Sequence, residues 1–296
     1  MAADLFKADN HFKQLIQFAS ELTRQNLETL CLRGPARTLM QAKYLQPLIV
    51  AVSMGYLRHC VDRGLSGDIV LGHSLGEISA LACAGVLTPH QAVEIAAKRG
   101  ELMDMAAAAV QGGMLAVVFM PLGSVQELLH EMNLSSRIVI ANDNAKDQIV
   151  LSGLGSALDE FAATVAVRQL GKTKRLEVAG PWHSPYMETA RTQFAQWVQS
   201  QPFKTPLVPI VFNASGTAEA DPVRIKAIIT NQLTSPVYFR ACMETLHREG
   251  ITRLVEIGPG RILCGLARVN GYTDRKSIYA VNNLRGLDIV VSETGA

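Results

Sequence analysis

Residues Gly72-His73-Ser74-Leu75-Gly76 have the types and spacing of a nucleophilic site, a serine with glycine two positions away on either side. An apolar run from Asp68 to Leu71 leads into them, and an Ala-rich helical pattern from Glu77 to Ala84 leads out. In that context a strand turns sharply into a helix. The glycines let the backbones approach closely, and Ser74 projects from a strained tip. Its hydroxyl then sits at a helix N-terminus, where N–H groups and the helix dipole favour a developing oxyanion.

A serine hydroxyl becomes a nucleophile when a base takes its proton, so the histidines come next. His11, His59, His90, His130 and His247 fall in helical or turn patterns among polar neighbours and read as solvated or helix-end side chains. His73 adjoins the serine on the turn with its ring directed away, a structural or oxyanion-adjacent position. His183 lies in the Gly/Pro-rich loop from Ala179 to Pro185, where a site residue on a rigid scaffold is expected. The alternative is a histidine that merely packs beside Trp182 and the prolines. No Asp or Glu stands out as a third partner. Either a carboxylate hides among ordinary positions, or a backbone carbonyl orients the imidazole. Arg99 follows two alanines and Lys98 and precedes Gly100. It is either a buried fork for a carboxylate near Ser74 or a surface cation paired with Glu94 or Glu101.

The elements that must position these residues are α/β in pattern. Helices cover the first 60 residues, with Phe12, Leu15, Ile16, Phe18 and Leu22 on one face and a second helix from about Gln41 to Cys60. A further helix runs from about Pro89 to Ala109 and closes at Gly112-Gly113. From Met114 to Val178 the order is strand (115–120), helix (123–132), strand (138–141), strand (148–152), helix (156–167) and strand (174–178). This βαββαβ order is ferredoxin-like and marks residues 112–179 as a small insertion in a larger domain of residues 1–111 and 180–296. After the insertion, helices are expected over 185–201, 222–232 and 238–249, strands over 208–213 and 253–257, and a helix from near Arg261. Alternating strands and helices in the outer segments predict a parallel sheet with ligands at the carboxyl ends of its strands.

Composition narrows the function classes. With 28 Lys+Arg against 26 Asp+Glu in 296 residues, the chain gives no electrostatic reason for nucleic acid or an anionic membrane as partner. Cys31, Cys60, Cys83, Cys242 and Cys264 are odd in number, widely spaced and without a CxxC pair, which suits buried small hydrophobes in a reducing compartment. No leader pattern opens the chain and no apolar run reaches membrane-spanning length, so the expected location is cytoplasmic.

Gly72-His-Ser-Leu-Gly-Glu77, Lys98-Arg-Gly-Glu-Leu-Met103, Asn142-Asp-Asn144 with Gln148 to Gly153, Trp182-His-Ser-Pro185, Asn231-Gln-Leu233 with Pro236-Val237, and Glu256-Ile-Gly-Pro-Gly260 stand in this order along nearly the whole chain. Together they resemble the malonyl-CoA:acyl carrier protein transacylase family. The resemblance implies an α/β-hydrolase-like large domain with a parallel sheet, a ferredoxin-like small domain, and a site in the gorge between them. It implies Ser74 as nucleophile, His183 as base, a backbone carbonyl near Gln232 in place of a triad acid, and the Leu75 N–H as an oxyanion donor. Arg99 matches the arginine that pairs with the malonyl carboxylate, and Gln46 matches a glutamine lining the site. His73, Trp182 and Asn142 are further residues expected on the substrate side. The substrates implied are malonyl-CoA and the phosphopantetheine arm of an acyl carrier protein. No metal or organic cofactor is called for, and monomer is the family default.

Two departures are visible. Members of the family open with a strand and a Phe-Pro-Gly-Gln-Gly segment whose glutamine completes the oxyanion hole, and nothing like it precedes Ala3-Asp-Leu-Phe6. One missing donor costs about 100- to 1000-fold in rate, which keeps a weakened binding module among the expectations, beside an acyl hydrolase that edits stalled thioesters. Trp182 stands where the family usually has Phe; the larger ring is expected to narrow the acyl pocket against branched malonyl groups.

Overall fold

The computed structural model describes residues 1–274 and 276–295. The N-terminal region is α1 (Ala3–Ala8), α2 (Asn10–Thr23), α3 (Leu27–Arg33), α4 (Ala36–Leu39) and α5 (Ala42–Asp62). The breaks between the first of these come from capping side chains. Asp9 accepts the Phe12 N–H at 3.0 Å to start α2, and Asn26 accepts the Thr29 N–H at 2.8 Å to start α3. On α2, Phe12, Leu15, Ile16 and Ala19 are buried. Leu22, expected on that stripe, is exposed, because at about 100° per residue it falls at the stripe's edge.

Next come β1 (Val70–Leu71), α6 (Gly76–Cys83) and α7 (Pro89–Ala108), the last opened by a Thr88/Gln91 capping box. Helices α5 and α7 approach so closely at Gly100 that a Cβ there would lie 2.3 Å from the Ala42 carbonyl oxygen. One turn further on, Asp104 of α7 accepts the N–H groups of Ala42 and Lys43 at 3.1 and 2.9 Å. It thereby caps α5, which has no side-chain cap of its own. This crossing presses Gln46 of α5 against Arg99 of α7.

The middle of the chain forms β2 (Gly112–Val118), α8 (Leu122–Glu131), β3 (Ile138–Ala145), β4 (Gln148–Leu154), α9 (Gly155–Val167) and β5 (Lys172–Arg175). Its sheet has the order β3-β4-β2-β5 with antiparallel neighbours, the ferredoxin-like arrangement. Leu115, Val117, Ile149 and Leu151 on the sheet meet Leu128 and Phe161 on its helices in a separate apolar core.

After a 3₁₀ turn at Pro185–Met187 the chain continues through α10 (Glu188–Gln199), β6 (Ile210–Phe212), β7 (Thr217–Glu219), α11 (Pro222–Asn231), α12 (Phe239–Arg248), β8 (Leu254–Ile257), α13 (Ile262–Val269), β9 (Ile278–Val281) and α14 (Leu284–Thr294). The parallel strands form two short pieces, β1 beside β6 and β8 beside β9, instead of one continuous sheet. Helix α6 packs on the first piece and α5 on the second. β7, β9 and α14 are additions to the expected elements; β7 is a three-residue strand turned back at Gly216, whose φ is 68°. The whole is an α/β-hydrolase-like domain with a ferredoxin-like insertion.

Cys31, Cys60, Cys242 and Cys264 are buried free thiols, but Cys83 is exposed, contrary to expectation. It lies opposite the buried face of α6, formed by Glu77, Ile78, Ala80 and Leu81. No helix among the described residues is long and apolar enough to cross a membrane.

Candidate active site

The turn from β1 into α6 is as tight as sterics allow. A Cβ on Gly72 would sit 1.9 Å from the carbonyl carbon of Gly76, so only glycine fits there. Ser74 adopts φ 51°, a left-handed conformation that costs a non-glycine residue about 1 to 2 kcal/mol. Side chains from elsewhere hold it. Asn213, at the end of β6, accepts the Ser74 N–H at 2.7 Å and donates to the Gly72 carbonyl at 2.8 Å, and Gln232 Nε2 donates to the Ser74 carbonyl at 2.9 Å. The Gly76, Glu77 and Ile78 N–H groups bond the carbonyls of His73, Ser74 and Leu75, while the Leu75 N–H has no acceptor among the described residues.

His183 reaches Ser74 from the loop after β5. It too has positive φ, 57°, in a segment tied by Ser184 Oγ donating to the Pro181 carbonyl and by the Trp182 N–H on the Gly180 carbonyl. Its Nδ1 faces two carbonyl oxygens, Gln232 at 2.9 Å and Ser235 at 3.1 Å. Carbonyls only accept, so the ring proton resides on Nδ1, and Nε2 accepts from Ser74 Oγ at 2.7 Å. Burial, with the charge of Arg99 adding to it, pulls His183 down to about 3. The imidazole is therefore neutral at physiological pH and able to accept a proton. Of the two ways left open for orienting this ring, the geometry has the backbone carbonyl.

Arg99 is 1 % exposed. The surface cation of that turn is Lys98, which pairs with Glu101 at 2.8 Å. Arg99 donates through Nε and Nη2 to Gln232 Oε1 at 3.1 and 2.8 Å, through Nη1 to Gln46 Oε1 at 2.8 Å, and through Nη2 to Ser74 Oγ at 3.2 Å. Burial draws it down to about 10, with Glu77 opposing, so it stays charged. Ser74, Leu75, Gln46, Arg99, His183 and Gln232 thus meet at one place.

The remaining candidates stand further out. His73 turns away from Ser74 Oγ and bonds Asn144 Oδ1 at 2.8 Å, with its ring against Phe239. It is Asn144 that reaches the elbow, while Asn142 is buried where β3 forms a bridge to Val237. Trp182 is half-buried and packs on the small sheet beside Met114, Ala141 and Val150.

Two residues in the cluster escaped the sequence reading. Glu77, 0 % exposed, accepts from the Asn213 N–H and from Gln232 Nε2. Burial pushes its carboxyl up to about 7 against the pull of these donors and of Arg99. Asn213 lies more than 130 residues from the serine it supports. The signal for Glu77 was its place directly after the elbow glycine, the one charged residue of α6; nothing local marks Asn213. Among the described residues no cluster of three or more His, Cys, Asp or Glu could hold a metal ion.

Comparison with known proteins gives the same direction. A family model described as acyl transferase domain matches residues 1–272. The malonyl CoA-acyl carrier protein transacylase of Bacillus subtilis (strain 168) is 33% identical over 270 residues, 90% of this chain and 85% of that protein. That of Staphylococcus aureus (strain MW2) is 31% identical over 289 residues, 97% of this chain and 93% of its own length. In structure, the acyl carrier protein S-malonyltransferase from Vibrio cholerae aligns with a TM-score of 0.89 at 32% identity, over 97% of this chain and 94% of that one.

Proposed function

The chain belongs to the malonyl-CoA:acyl carrier protein transacylase family, and from that membership we propose that Ser74, His183 and Arg99 carry out malonyl transfer by a ping-pong route. The enzyme transfers a malonyl group from CoA to the phosphopantetheine thiol of an acyl carrier protein through a malonyl-serine ester. One observation carries the assignment of residues: Ser74 Oγ lies 2.7 Å from His183 Nε2 and 3.2 Å from Arg99 Nη2, so nucleophile, base and a carboxylate-binding cation share one oxygen.

In the first half-reaction His183 takes the Ser74 proton as Oγ attacks the thioester carbonyl. The oxyanion develops against the Leu75 N–H, and the carbonyls of Gln232 and Ser235 share the new imidazolium charge. His183 returns the proton to the departing CoA sulfur. In the second half-reaction the carrier thiol gives its proton to His183 and attacks the ester, and Ser74 recovers its own. A malonyl carboxylate on Arg99, lined by Gln46, also offsets the positive charge that helps hold His183 down. Binding the correct acyl group therefore strengthens the base that acts on it. Residues 112–179 form the smaller wall of the gorge in this reading, joined to the elbow through Asn144 and His73, and Trp182 narrows the acyl pocket beside it. The site operates in the cytoplasm.

Intact-protein mass spectrometry after brief exposure to malonyl-CoA tests the proposal. The expected result is one malonyl adduct on the wild type and none on Ser74→Ala. An adduct that persists in Ser74→Ala, or malonate released faster than it is handed to a carrier thiol, sinks it.

A further inference from the structure

Glu77 touches no substrate in the mechanism above, yet it is a buried acid behind the nucleophile. Its surroundings leave it one form in which every partner is satisfied. Oε1 faces the Asn213 N–H and Oε2 faces Gln232 Nε2, and both partners are donors. Gln232 is constrained in turn. Its Nε2 points at two acceptors, Glu77 Oε2 and the Ser74 carbonyl, while its Oε1 receives Nε and Nη2 of Arg99. The opposite amide rotamer would set an NH₂ group against a guanidinium and an oxygen against a carboxylate.

We propose that Glu77 is a positioning residue that fixes the Gln232 side-chain amide, and through it the Arg99 guanidinium, so that selectivity for a carboxylate-bearing acyl group rests on a carboxylate the substrate never meets. This rests on the reading of Arg99 as the acyl-carboxylate clamp. The Asn213 N–H is backbone and cannot turn, so a glutamine at position 77 keeps its oxygen there and offers NH₂ to Gln232. Gln232 then meets a donor at Nε2, and turning over to relieve that contact takes away from Arg99 the single oxygen that accepts from both its Nε and its Nη2. Losing hydrogen bonds to a buried charge of this kind corresponds to about 10- to 100-fold in the clamped substrate alone.

The same device is sensitive to pH. Burial holds the Glu77 carboxyl at about 7, so acidification through that value neutralises it and reproduces the Glu77→Gln conflict. The groups around it leave that window clear: Arg99 at about 10 stays charged, His183 at about 3 stays neutral, Cys242 at about 12 stays a thiol, and His73 is lowered by burial.

The experiment measures initial rates of acyl-enzyme formation with malonyl-CoA and acetyl-CoA, on wild type and Glu77→Gln, from pH 8 to 6. Expected are a malonyl-to-acetyl ratio that falls about 10-fold or more in Glu77→Gln and is flat with pH there, and a wild-type ratio that declines on acidification through about 7. A loss shared equally by both substrates, or a wild-type ratio independent of pH, overturns the proposal; the wild-type arm decides even where Glu77→Gln does not fold. Absence of any malonyl adduct on wild type at pH 8 is a different result, which removes the proposed function itself.

Discussion

Ser74 and Val117 are both held by their surroundings, but by different physics. Val117 lies on a regular strand, in a register of antiparallel pairs, and its neighbours are Leu, Ile and Phe side chains that need only the right volume. Ser74 lies on a residue with φ 51°, and its neighbours are Asn213, Gln232, Glu77 and Arg99, polar groups that must each present the correct donor or acceptor. A core of the first kind tolerates approximate solutions. A network of the second kind fails when any member is reversed, because each unpaired group is left buried. In the proposed function, chemistry is concentrated where local backbone preference is violated, and the small sheet bears the ordinary work of stability.

Three substitutions test that contrast, from the largest effect down. Arg99→Ala removes the cation of the network and should cut malonyl transfer roughly 1000-fold while acetyl transfer, which has no carboxylate to seat, falls far less. Steady-state rates with the two acyl-CoAs measure it, and equal losses would break the assignment. Phe161→Ala, in the apolar core of the small sheet, should lower unfolding free energy by about 3 to 5 kcal/mol in denaturant titration and leave the rate per folded molecule within about twofold. If activity fell as far as stability, the division of labour between the two regions would be false. Asn213→Ala has the smallest effect of the three in free energy. It leaves the Ser74 N–H and the Gly72 carbonyl without partners, and the acylation rate should fall about 100-fold by stopped-flow, because the proposed nucleophile loses its fixed position more than the fold loses its core.

How much of this was legible in the sequence follows the same line. The βαββαβ order of the insertion could be read because each element there is regular, and periodicity in the sequence reports regular burial. The elbow could be read because its constraint is local: Gly72 must clear Gly76 within five residues. Asn213 could not, since its significance comes from β6 lying beside β1, a pairing that no local pattern specifies. Arg99 remained ambiguous for a related reason. A charged residue beside Gly100 reads equally as a surface cation or a buried fork until the close crossing of α5 and α7 is known. Leu22 and Cys83 failed the opposite way, as apolar residues whose helical faces end at solvent.

The smallest effect is a pH dependence that nearly cancels, and it separates the two buried titrating groups. Glu77, raised from 4.5 to about 7 chiefly by burial, binds a proton more readily folded than unfolded between those values. Its contribution is present below 4.5 and is lost as pH rises through about 7. His183, lowered from 6.5 to about 3 chiefly by burial, runs the other way: its contribution is present above 6.5 and is lost as pH falls through about 3. Between 4.5 and 6.5 the folded chain gains at Glu77 what it loses at His183, so these two groups leave wild-type stability nearly level there. Removing either exposes the other. Relative to wild type, Glu77→Gln should lose stability on acidification from about 7 to 4.5, and His183→Ala should gain it from 6.5 downward, both followed by chemical denaturation at fixed temperature. Parallel profiles for the two variants would mean that burial around Ser74 does not shift these two groups in opposite directions.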